Sequence, residues 1–126
     1  MNGKARTFFA VALCFLTTPG RAFAHHSMSI YDRDRSITLR ATVTYFEWVS
    51  PHTLIHFDVE NDNGNIEKWT AESPAPFRLA RHGWTKDSLR PGDQITIFGN
   101  RKKDGTTSMR LLKLVLSNGQ ELDGYR

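Results

Sequence analysis

The sequence predicts a small all-β domain with one short helix, arranged as a five-stranded OB-like antiparallel barrel. Three observations carry that prediction. Apolar and polar residues alternate over separate short stretches, the period of half-buried strands. The alternation is interrupted once, by Ser73-Pro74-Ala75-Pro76 and a segment ending at Gly83, where Pro early and Gly late frame a single short helix with Ser73 or a neighbour near its cap. A long first strand, a helix between strands three and four, and a Pro91-Gly92-Asp93 turn before strand four follow the order of a five-stranded Greek-key barrel. Another small antiparallel barrel or half-open sandwich is the alternative arrangement.

The elements follow in order. Lys4 and Arg6 begin a basic start, Phe8 to Leu16 is an unbroken apolar run, Pro19-Gly20 breaks it, and Ala22-Phe23-Ala24 is an A-x-A cleavage site. That succession predicts a secretory signal peptide over residues 1–24. An amphipathic or anchoring N-terminal helix is the plainer alternative. Val11-Ala12-Leu13 places no small residue directly before Cys14, which argues against a lipoprotein anchor. Cleavage after Ala24 leaves a domain of residues 25–126, periplasmic or secreted.

His25 to Arg35 is polar and without a clear period, a lead-in or short edge strand. From Ser36 the period is two. Ile37, Leu39, Ala41, Val43 and Tyr45 share one face, and Thr38, Arg40, Thr42 and Thr44 the other. Ser50-Pro51 stops this strand, because Pro cannot donate to a ladder. Phe46 and Trp48 fall outward if the alternation holds, and inward if a bulge occurs near residue 45, as it often does in a strongly bent strand. Thr53 to Glu60 is the second strand, with Thr53, Ile55, Phe57 and Val59 inward. Asn61 to Asn65 is a hairpin turn in which Gly64 suits positive φ. Ile66 to Glu72 returns as strand three. Phe77, Leu79, Ala80 and Trp84 follow at mixed spacing. Gln94 to Gly99 is strand four, with Ile95 and Ile97 inward; Lys103-Asp104-Gly105 turns; Ser108 to Leu116 is strand five; and a polar tail follows Asn118-Gly119.

Composition excludes several functions. Hydrophobic residues make up 39% of 126 and charged residues 24%, a globular mixture rather than a disordered one. The chain has a single Cys, so an intrachain disulfide or a thiolate cluster is ruled out. No apolar run is long enough for a membrane span in the mature chain. Of the 17 basic residues, Lys4, Arg6 and Arg21 leave with the signal peptide, so 14 face all 13 acidic ones, and the net charge falls from +4 to +1. A nearly neutral domain gives no electrostatic argument for a nucleic-acid partner.

The new N-terminus is the most specific chemical feature. His25 would carry a free α-amine beside its imidazole and be followed by His26. An amine and Nδ1 chelate a metal together, and a third nitrogen completes the T-shaped copper site called a histidine brace. Amine and imidazole both become available near neutral pH, and such nitrogens suit Cu(II), which tops the divalent affinity order. His52 and His56 are the candidates for the third nitrogen. Four residues apart on a strand they lie roughly 13 Å apart, so only one can serve; His52, in the loop after Pro51, is the better placed, and His56 reads as a solvated outward residue. His82 sits near the helix end, where the dipole favours a cation. Two histidines on a frayed terminus remain the simpler account of His25 and His26.

A second constellation lies on the rim that the loop between strands one and two shares with the hairpin between strands four and five. Trp48, Pro51, Arg101, Lys102 and Lys103 would there take a protein partner or a small anionic ligand, with Arg110 and Lys113 adding to the basic charge of the hairpin. Lysines that blunt edge aggregation are the plainer reading of that turn. Glu47 and Glu72 read as isolated carboxylates, and Trp69 and Trp84 as core or lid residues. No nucleophile with a recognisable base and no cofactor fingerprint appears, so an enzyme is not expected.

Ala24-His25-His26-Ser27, Glu47-Trp48-Val49-Ser50-Pro51-His52, Gly83-Trp84, Asp87 to Asp93 and Asp104-Gly105 together resemble a family of short exported bacterial proteins classed as a domain of unknown function. Met28, Ser50 and His82 stand where that pattern has an aromatic, an Asn and an Arg. The resemblance spans the mature chain and implies export and a small β-barrel, but no activity or ligand. The function expected is that of an exported binding protein holding copper(II) or another divalent metal through His25, His26 and His52. The alternative is a metal-free periplasmic module using the rim.

Overall fold

The structure is a computed structural model that describes residues 30–126. His25 and His26, and the whole of the expected signal peptide, lie outside the described residues. Six strands and one helix follow in the order β1 (Tyr31–Glu47), β2 (Thr53–Glu60), β3 (Ile66–Ser73), α1 (Pro76–Ala80), β4 (Gln94–Lys102), β5 (Ser108–Leu116) and β6 (Glu121–Asp123). Neighbours pair antiparallel in the order β3-β2-β1-β4-β5-β6. A short parallel ladder, Thr70 to Glu72 against Ser108 to Arg110, joins β3 back to β5 and closes five strands into a ring. Fold class therefore follows the sequence reading: all-β, one short helix, a sheet that closes on itself. The differences are at the edges. The polar tail supplies a sixth, three-residue strand, and β1 begins at Tyr31 rather than Ser36.

The core follows from period two. Thr53, Ile55, Phe57 and Val59 are buried, as are Ile95, Ile97, Met109, Leu111 and Leu114. β1 breaks its own alternation. The register with β2 shifts between Val43 and Tyr45, so Val43 is buried while Tyr45 is 58% exposed. Phe46 and Trp48 are turned onto the core instead, their ring centroids 5.8 Å apart. Tyr45 thus leaves the apolar face assigned to it by simple alternation, because a bulge places two residues opposite one and flips everything beyond it.

The helix is five residues long. Pro76 occupies its first turn, where a missing N–H costs nothing, but its cap position is Ala75 and no side chain caps it. Ser73 ends β3, fully buried, and is not the cap. Leu79 and Trp84 close this side of the core, and the Trp84 indole donates to the Asp123 carbonyl at 2.8 Å. That bond holds the tail against the ring. Gly124 then crosses Leu111 so closely that a Cβ would overlap the Leu111 side chain and carbonyl, and the backbone N–H groups of Gly124 and Tyr125 donate to Leu112 and Leu111.

Candidate functional site

The closing ladder assembles a polar cluster at one mouth of the ring. Glu72 near the end of β3 and Arg110 near the start of β5 are direct partners in the parallel pairing. Tyr31, the first residue of β1, is buried, and its phenol donates to Glu72 Oε2 at 2.7 Å. His52, just before β2, brings Nδ1 to 3.3 Å from Glu72 Oε1 and 3.0 Å from the Tyr125 hydroxyl. Tyr125 comes from the tail that Trp84 and Gly124 hold down. The Arg110 guanidinium lies over the Tyr125 ring, 4.3 Å from its centroid.

Protonation follows from the inventory of donors. A carboxylate only accepts, so the Tyr31 phenol donates to Glu72. Burial first, then the Glu72 hydrogen bond and charge, push the Tyr31 phenol well above its usual range. Burial and the Glu72 charge push Tyr125 up to about 12. Both phenols are therefore neutral donors at neutral pH. The His52 Nδ1 is the ring nitrogen engaged, hydrogen-bonded with the Tyr125 hydroxyl and 3.3 Å from Glu72, and in the tautomer that carries its proton on Nδ1 the lone pair is on Nε2. That nitrogen makes no hydrogen bond among the described residues, and the His52 side chain is 43% exposed.

His56 has the opposite arrangement. Its Nε2 is 2.7 Å from Glu47 Oε1 and its Nδ1 is 3.1 Å from Thr70 Oγ1. The ring also stacks on Tyr45, 5.9 Å between centroids. It faces outward as expected but is not simply solvated: both nitrogens are engaged. The bulge causes this, since the register shift sets Tyr45 opposite His56 and brings Glu47 alongside. Glu47 and Glu72, isolated in sequence, each orient a histidine in the fold.

The other sequence candidates lie elsewhere on the ring. Trp48 packs against the core, and Pro51 is exposed. The Arg101 guanidinium donates to the carbonyls of Gly105 and Thr106 inside its own turn and lies over the Trp69 ring. Lys102 is half-buried and Lys103 exposed. Among the described residues no hydrogen bond or ring contact joins Trp48 or Pro51 to the segment from Arg101 to Lys103. His82 is exposed and lines a cavity with Arg110 and Tyr125.

Sequence reasoning missed Tyr31 and Tyr125, and it read Glu72 only as an isolated carboxylate and Arg110 only as part of a basic hairpin. The one local signal was Gly124-Tyr125, a glycine before an aromatic in an otherwise polar tail. Among the described residues no three His, Cys, Asp or Glu side chains converge as a ready metal centre. No helix among them is long and apolar enough to cross a membrane.

Fold and site together define a small ring-closed β-domain with a histidine, a glutamate, two phenols and an arginine gathered at one mouth. The chain belongs to the family of unknown function DUF6152, whose sequence pattern matches residues 13–110. No curated protein matches it. Among solved structures it is similar to a crystal structure of TiaS in complex with an isoleucine tRNA and ATP. The TM-score is 0.45 and the identity 22%, over 68% of this chain and 19% of that one.

Proposed function

We propose that this protein is an exported binding protein that holds one copper(II) ion between His52 and the mature N-terminus, through His25 with its α-amine and through His26. The observation that carries this reading is the open Nε2 of His52, with Nδ1 hydrogen-bonded with Tyr125 and 3.3 Å from the Glu72 carboxylate. Histidines that ligate metals hand their second N–H to a carboxylate or carbonyl, which fixes the tautomer and raises the basicity of the ligating nitrogen. Glu72 supplies that partner here, and it links His52 to Tyr31. The chain from His25 to Tyr31, if extended, spans about 20 Å. The N-terminal histidines therefore have the length to return to His52. His56, with both nitrogens engaged by Glu47 and Thr70, is the less suited third ligand.

The test is copper titration of protein beginning at His25. One Cu(II) binds with nitrogen-dominated coordination, and affinity falls as pH drops through ~6.5, because protons compete for imidazole. His52→Ala weakens binding by removing a ligand held in the folded domain. One extra residue before His25 also weakens it, by carrying the α-amine out of chelating range. If both altered proteins bind as tightly as the unmodified one, the brace is wrong.

A further inference from the structure

A buried arginine lies beside the histidine, across the Tyr125 ring. Arg110 is 4% exposed, and its Nε is buried without a hydrogen-bond partner. No carboxylate forms an ion pair with it among the described residues. Its ladder partner Glu72 has both oxygens engaged elsewhere, by Tyr31 and by His52. The Tyr125 ring beneath the guanidinium attracts the charge but satisfies none of its five N–H donors. Taking a guanidinium out of water without a paired anion is costly, and retained buried charges are paired as a rule. Burial, together with the charge of Arg33, in fact disfavours the charged form of Arg110.

The cavity that Arg110 lines accounts for this. It holds about 240 Å³ and is bordered by Arg78 from α1, His82, Tyr125 and Arg126, with no Asp or Glu in its lining. Among the described residues, Arg126 alone of these cations has an acidic partner, Asp123 at 2.8 Å. Three guanidinium groups and an imidazole around one small open cavity form a multi-donor, multi-charge receptor. Arginine's planar fork matches an oxyanion that presents two oxygens at once.

The geometry points to a phosphate site: the cavity between α1, the start of β5 and the C-terminal tail takes the phosphate group of free phosphate or of a small monoester, with Arg110 at its base and Arg78 and Arg126 at its rim. Bound phosphate supplies an acceptor for Arg110, whose buried Nε has none. Tyr125 lies between the two sites, its hydroxyl on His52 and its ring under Arg110, and so forms the wall they share.

The test uses the full chain freed of metal by chelator, so that its outcome is independent of copper. Inorganic phosphate and glycerol phosphate are titrated separately against chloride at matched ionic strength, reading heat and melting temperature. Saturable stabilisation by either phosphate, absent with chloride, is expected. Tighter binding of the ester assigns the natural group to esters, and tighter binding of the inorganic ion to free phosphate. Arg110→Met should weaken binding at least about tenfold, the size of a lost charge-assisted hydrogen bond. It should leave the melting temperature without phosphate unchanged or raised, since a buried unpaired charge has gone. A purely structural Arg110 would do the reverse, lowering that temperature and leaving phosphate binding intact. Arg78→Ala, an exposed substitution with no core at stake, should also weaken binding severalfold, and it decides the matter should Arg110→Met fail to fold. No saturable response to either phosphate, or full affinity in Arg78→Ala, overturns the site.

Discussion

His56 on the outer face of β2 and His52 at its entrance each meet a glutamate, yet only His52 keeps a ring nitrogen without a hydrogen bond among the described residues. On the outer face the partners are near neighbours in the sheet. Glu47 and Thr70 come from the strands flanking β2, take both ring nitrogens, and leave a closed hydrogen-bonded unit under Tyr45. At the mouth the partners come from far along the chain, Glu72 through β3 and Tyr125 through the tail. They crowd Nδ1 alone, and Nε2 stays open. A histidine saturated by its own sheet is a structural element. A histidine held from one side only keeps a ring nitrogen free for a ligand, and the same mouth also holds an arginine with no ion pair among the described residues.

That contrast can be broken most severely through Trp84. Trp84→Ala removes a buried ring and the bond to Asp123 that holds the tail, at a cost of about 3–5 kcal/mol. Denaturant unfolding measures the loss. In the folded fraction the His52 contacts to Tyr125 should disappear from imidazole NMR spectra while the Glu47 contact to His56 persists. Loss of both together would mean that the two regions are one cooperative unit.

The glutamates sharpen the comparison next. Glu72→Gln should weaken copper binding by about 10–100-fold, the usual effect of removing a partner that orients a ligating histidine. Glu47→Gln should leave copper affinity unchanged. Equal effects in titration calorimetry would remove the distinction between the two pairs.

Alkaline pH acts on the mouth through its phenols. Tyr125 is raised from 10.0 to about 12 in the fold, chiefly by burial and then by Glu72. Between those values the unfolded chain has released a proton that the folded chain retains. The stability that Tyr125 contributes is therefore whole below pH ~10 and declines as pH rises toward 12. Tyr31 is shifted in the same direction. Tyr125→Phe should flatten the alkaline fall in unfolding free energy and remove one late phenolate absorbance step. An unaltered slope would place Tyr125 in solvent.

The smallest effect belongs to the outer face. His56→Ala deletes two half-buried hydrogen bonds and should cost about 1 kcal/mol, with copper and phosphate binding unchanged. A clear loss of copper affinity would move the metal to the wrong histidine.

Much of the fold is legible in the sequence. The inward positions of β2 and β4, the turns at Asn61 to Asn65 and Lys103 to Gly105, and one interruption after β3 all follow from nearest-neighbour preferences. These are alternation, turn chemistry and the exclusion of Pro from ladders, and a sequence displays them directly. The preference for His52 over His56 also rests on spacing and loop position along the chain. What cannot be read there is which residue holds each ring. Glu47 and Glu72 look equally isolated, and Arg110 looks like one more basic residue on a hairpin.

Local physics determined the strands, their inward faces, the place of the single helix and the short list of histidines. Tertiary structure decided which histidine stays open, and it did so through two long-range events. The bulge between Val43 and Tyr45 turns Phe46 and Trp48 inward and presents Glu47 to His56. The parallel closure of β3 on β5 sets Glu72 beside Arg110 and lets the tail deliver Tyr125 to His52, 73 positions away in sequence. The closure has no local signature, and the bulge is announced only by the bend of a long strand. A register shift depends on how a bent strand meets its partner, and a ring closes only when every other strand is already in place.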